Sequence, residues 1–160
     1  MSSFILRSIV MGIVATGLTD LWAQALARFA GLPPPNWGLV GRWFANLTTG
    51  KVFHDDIGKA PPWANELAIG WAAHYLVGVA FAAAALLIGG AGWAASPTFP
   101  LALAVGWVTV GFGWFLLQPG MGAGWAASKR PNAMQIRILN VVSHTIFAIG
   151  LYVAALALAR

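Results

Sequence analysis

Four stretches of this chain, each of about 20 residues or more, are nearly free of charge and too apolar to face water. They run roughly over residues 4–30, 65–88, 99–117 and 134–159. A helix needs about 20 mostly apolar residues to cross the hydrocarbon of a bilayer. Lipid leaves only two ways to satisfy the backbone: a helix, or a closed barrel. The stretches are rich in Ala and Leu and lack period-two alternation, which argues against barrel strands. The expected fold is all-α: a four-helix transmembrane bundle, a single domain over residues 1–160. A long cytoplasmic loop is expected between helices 1 and 2.

Charge and cysteine usage narrow the function classes. Only 8% of residues are charged, against about 25% in a soluble domain, so no ordinary polar coat can be built. Nine Trp suit a protein with two membrane–water interfaces. The absence of Cys excludes disulfides, iron–sulfur clusters, thiolate zinc sites and cysteine nucleophiles. The net charge of +5 is not a nucleic-acid signature here. The basic residues sit at helix ends and in two loops, where anionic lipid and topology explain them. Membrane lipids are therefore the expected partners, with a larger membrane complex or a homo-oligomer as further options and no nucleic acid. Arg7, the apolar run 8–18 and Ala25-Leu26-Ala27 loosely mimic a signal peptide. Asp20, Trp22 and Gln24 interrupt that pattern, so the segment reads as a retained helix.

The connectors are unequal. Residues 89–98 are short and uncharged, and residues 118–133 are rich in Gly between Pro119 and Pro131. Residues 31–64 are long, with Pro33-Pro34-Pro35 at one end and Pro61-Pro62 at the other. Those prolines break helices and isolate residues 36–59, where Trp37, Trp43, Phe44 and Phe53 mix with Arg42, Lys51 and Lys59. A short helix or hairpin on the headgroups is expected there. Arg28, Arg42, Lys51, Lys59, Lys129, Arg130 and Arg137 lie on the face of the first and third loops, against Arg7 and Arg160 on the other. The positive-inside rule then puts those loops in the cytoplasm and both termini in the periplasm.

Ionisable groups inside lipid are expensive, so each needs a reason. Asp20, His74 and His144 lie on three different helices. Counted from the cytoplasmic ends, their depths are about 15, 13 and 15 Å at the helical rise. Two imidazoles and a carboxylate can hold a transition metal. The two histidines could instead be axial haem ligands. Asp20 with a histidine could form a proton relay, or the group could be interhelical glue. Thr16, Asp20 and Gln24 share one stripe, Glu66 and His74 another, and Arg137, Asn140 and His144 a third. With Gln118 ending the third helix, they would line a pocket capped by His54-Asp55-Asp56. The ligand-binding candidates are His54, Asp55, Arg42, Glu66, Gln118 and Gln24. His54-Asp55-Asp56 could bind a metal, but such a cluster is more often a turn or helix cap, and Gly120, Gly122 and Gly124 read as a tight or re-entrant turn.

Several phrases occur together: Leu39-Val40-Gly41-Arg42-Trp43, His54-Asp55, Ala60-Pro61-Pro62, Gly70-Trp71-Ala72-Ala73-His74-Tyr75, Gln118-Pro119 with Gly122-Ala123-Gly124, and Ser143-His144. Together they resemble an uncharacterised bacterial family of predicted membrane proteins, a domain of unknown function. The resemblance spans nearly the whole chain and implies four helices and residence in the bacterial inner membrane. It implies no activity. The leading expectation is an inner-membrane protein with a polar His/Asp pocket in its cytoplasmic half, binding a metal or small ligand. One alternative is a membrane-embedded enzyme on a lipid, quinone or isoprenoid-like substrate, with Asp20 or a histidine as acid–base and Arg42 or Lys51 holding a headgroup. Another is a non-catalytic accessory subunit of a larger membrane complex.

Overall fold

The computed structural model describes residues 2–159, and every regular element among them is helical. The elements are α1 (Ser2–Ala30), α2 (Trp37–Leu47), α3 (Glu66–Ala95), α4 (Phe99–Phe112), α5 (Gln118–Gly120) and α6 (Ala133–Leu158). Four spans are long and apolar enough to cross a membrane: Ser3–Ala30, Glu66–Ala95, Phe99–Gly120 and Ala133–Leu158. The protein is thus all-α with four membrane-spanning helices, and α2 lies in the segment joining the first two.

Local chemistry explains the element ends. Pro33, Pro34 and Pro35 stop any continuation of α1. Asn36 then caps α2, its side-chain oxygen accepting from Leu39 N at 3.2 Å. At the far end of α3, Gly90 adopts φ 63°, a conformation that costs glycine little, and breaks the helix before its last turn. That break lets helical structure run to Ala95, past the expected stop near residue 88. The third span similarly runs past residue 117. Residues Gly113–Leu117 form a π-helical stretch, and Gln118 N donates to Gly113 O, five residues back. Pro119 has no N–H to give, and its ring would press on a carbonyl four residues back. The widened turn absorbs both problems and leads into α5.

The chain forms two compact units. The first comprises the described residues up to Pro34, Tyr75–Thr109 and the residues from Val141 onward. Its core holds Met11, Ala15, Ala82, Leu86, Phe147 and Leu151. Small residues bring the backbones close: a Cβ on Gly12 would strike Val79, and one on Gly150 would strike Ala15. Arg7 ties three helix ends together, with Nη1 donating to Ala94 O at 2.8 Å and Nη2 to Leu158 O at 2.9 Å. A cation is favoured at helix C-termini, where carbonyls lack intrahelical donors.

The second unit comprises Pro35–His74 and Val110–Asn140. Here α2 buries Val40, Gly41, Trp43 and Ala45. The start of α3 packs against α2 so closely that a Cβ on Gly41 would overlap Glu66 backbone, and one on Gly70 would overlap Trp37 backbone. Trp43 Nε1 donates to Val52 O at 2.8 Å, fastening the chain that leaves α2. The Gly-rich turn after α5 rests on that same chain, Gly122 (φ 89°) lying directly against the backbone of Asp55.

Candidate functional site

Arg42 and Glu66 form the best-ordered polar contact of the second unit. Arg42 Nε donates to Glu66 Oε2 and Nη2 to Oε1, both at 2.8 Å. The pair is bidentate, the geometry a guanidinium fork suits best. Nη1 donates to Ala60 O at 2.9 Å, with Gly58 O and Ile57 O at 3.3 and 3.4 Å. Glu66 Oε2 also accepts from Trp63 N at 3.1 Å. The carboxylate hydrogen bond outweighs the cost of burial and raises the Arg42 pKa above its ordinary value. Both residues were candidates for holding a ligand; here they hold each other, α2 and the turn before α3.

Two turns along α3, His74 stacks on Trp37, with ring centroids 3.9 Å apart and planes 27° apart. Trp71 sits beside both, at 5.5 Å from Trp37 and 6.0 Å from His74. The polar face of α3 thus becomes an aromatic cluster against the first turn of α2.

His54 is differently placed. It is buried, 8% exposed, between the end of α2 and the turn after α5. Its backbone N–H donates to Gly120 O at 2.9 Å, and its ring Nδ1 lies 3.1 Å from the same oxygen. A carbonyl only accepts, so Nδ1 carries the proton and Nε2 presents a lone pair. Among the described residues Nε2 is buried with no hydrogen-bond partner, and so is Gln118 Oε1. Gln118 spends its amide on Asn140 Oδ1 at 2.9 Å, an oxygen that Trp114 Nε1 also reaches at 3.0 Å. Both unpartnered atoms of this unit are therefore acceptors. Asp55 is exposed, and Asp56 caps the Ile57–Lys59 turn by accepting from Gly58 N at 2.9 Å.

In the first unit Tyr75 donates its hydroxyl to Asp20 Oδ2 at 2.8 Å. His144 Nδ1 lies 3.0 Å from Gly106 O and 3.0 Å from Thr109 Oγ1, while Thr109 itself donates to Gly106 O at 2.8 Å. His144 therefore also carries its proton on Nδ1. Gln24 is exposed. Thr16 Oγ1 and Trp22 Nε1 are buried with no hydrogen-bond partner among the described residues. Among the described residues no three His, Asp or Glu side chains are grouped as a metal ion would require, so the set Asp20, His74 and His144 is not gathered into such a cluster. Asp20 and His144 fall in the first unit and His74 in the second.

The costly polar residues stand out in the sequence; their partners do not. Thr109 and Trp114 give no local signal, being a hydroxyl and an indole of ordinary kinds inside an apolar helix, and nothing local to Trp37 or Tyr75 announces His74 or Asp20 as its partner. Asn140 was visible as part of the α6 stripe, and its role as shared acceptor was not.

Comparison with curated proteins and with solved structures gives no match. Residues 9–158 match a family described as Protein of unknown function (DUF2938). With nearly its whole length matched, the chain belongs to the DUF2938 family.

Proposed function

We propose that this protein is a bacterial inner-membrane protein, both termini periplasmic, that binds a small ligand within its second unit. His54 Nε2 and Gln118 Oε1 are the recognition atoms. The observation that carries this reading is the buried, unpartnered lone pair of His54, its ring locked by a carbonyl on the opposite nitrogen. A buried acceptor left without a donor costs about 1–3 kcal/mol, and such groups in a native structure call for an explanation, a bound ligand or ion being one. The ligand must bring hydrogen-bond donors or positive charge: a hydroxyl, an ammonium or a metal ion. A transition metal is one such ligand, because metal-bound histidine typically holds its other N–H on a carbonyl or carboxylate.

The test is native mass spectrometry, metal analysis and an absorption spectrum on chelator-free protein in mild detergent. A retained non-lipid mass, a stoichiometric metal or a haem band that disappears in His54→Ala and weakens in Gln118→Leu supports the reading. Protein that carries none of these, with unaltered behaviour in both variants, reduces the site to a pocket for buried water and defeats it.

A further inference from the structure

We propose that the groove beside Arg7 binds an anionic phospholipid, the guanidinium holding its phosphate and the groove its acyl chain. The groove lies wholly within the first unit, with a volume of about 510 Å³. Phe4, Leu86, Leu87, Ala91 and Ala94 supply its apolar walls, and among the described residues Arg7 is the one charged side chain in its lining. Gly90 opens it. The helix breaks there, and no atom lies within 4 Å of where a Cβ would stand. Leu87 is left 72% exposed.

Three observations make a lipid the occupant. The groove sits where α1 begins and α3 and α6 end, which is headgroup level for spans that start at Ser3 and stop at Ala95 and Leu158. Arg7 is four residues into its span, about 6 Å at the helical rise, within reach of the phosphate by snorkelling. Its guanidinium is also held in advance. Two of its five N–H groups are fixed on Ala94 O and Leu158 O, and among the described residues no carboxylate pairs with it. A pre-positioned fork with open donors matches a phosphodiester. This separates Arg7 from Arg42, whose donors are turned onto Glu66 and three carbonyls.

The experiment is native mass spectrometry of the full chain in mild detergent with phosphatidylglycerol, phosphatidylcholine or inorganic phosphate added. Retention of phosphatidylglycerol is expected to exceed that of phosphatidylcholine by about fivefold, the scale of one basic residue's attraction to a net anionic lipid, an attraction that the choline ammonium cancels. Arg7→Gln should erase the preference. Arg7 also caps helix ends, so Ala91→Leu, which narrows the exposed groove and leaves Arg7 in place, decides the matter if Arg7→Gln unfolds. It should lower phosphatidylglycerol retention by a similar factor. Equal retention of both lipids by the unaltered protein overturns the proposal. So does a preference that survives Ala91→Leu and falls only in Lys129→Gln with Arg130→Gln. Displacement by inorganic phosphate alone would make this a free-anion site and would also overturn it.

Discussion

A guanidinium at the edge of a bilayer can serve as a brace or as a grip, and its open donors separate the two. Arg42 is a brace. Its removal strips the Glu66 carboxylate of both guanidinium donors, leaving only Trp63 N on Oε2, and takes the Nη1 donor from the Ala60 carbonyl. Arg42→Ala should therefore lower stability by about 2 kcal/mol, a charged hydrogen-bond loss at a partly exposed site. Arg42→Lys should recover little, since an ammonium cannot reproduce the bidentate contact. The double change Arg42→Met with Glu66→Met should be milder than Arg42→Ala, because it leaves no orphaned charge. Thermal unfolding in mild detergent reads all three. An Arg42→Ala protein as stable as the parent would return Arg42 to the ligand-binding candidates. His54 allows the converse comparison. Gln118→Leu removes an acceptor that has no donor, so if no ligand exists the change should cost little beyond the bond to Asn140, under about 1.5 kcal/mol.

At the scale of elements, the four spans are legible because apolar length is a local property and survives any tertiary arrangement. The segment 36–59 is legible in outline too: the prolines isolate it, and of the short helix or hairpin expected there the helix α2 forms. What stays hidden is pairwise. Glu66 reads as one of the ligand-binding candidates and stands in the first turn of α3, but nothing local announces Arg42, 24 residues earlier, as its partner. The π-helical stretch before Pro119 is hidden for a similar reason, since proline predicts a stop and the wider turn evades it. Glycine spacing gives a sharper test of packing than either. Gly41→Ala and Gly70→Ala place a methyl group into facing backbone, an overpacking cost of about 1–3 kcal/mol each. Gly92→Ala meets nothing within 4 Å and should be neutral or slightly stabilising. Equal melting temperatures for all three would mean that α2 does not pack on α3 as described.

For the molecule as a whole, the sidedness of the membrane is the property on which the proposed ligand and lipid sites both depend. Arg7 supplies a structural anchor for the alternation of the spans: the start of α1 and the ends of α3 and α6 share one guanidinium, so they share one membrane face. The proposed orientation then rests on the positive-inside rule, which assigns the loops carrying Lys51, Lys59, Lys129 and Arg130 to the cytoplasm. The chain contains no Cys, so single introduced cysteines report position without background. Lys51→Cys and Lys129→Cys should resist a membrane-impermeant maleimide in intact cells and react after lysis. Ser96→Cys, between α3 and α4, should react in intact cells. The reversed pattern would put His54 on the periplasmic side and Arg7 in the cytoplasmic leaflet. The second unit would then receive its ligand from outside the cell, and the Arg7 groove would draw on the inner leaflet. Labelling of Ser96→Cys and Lys129→Cys from the same side would be a deeper failure. It would break the alternation that the Arg7 contacts require, and with it the four-span reading itself.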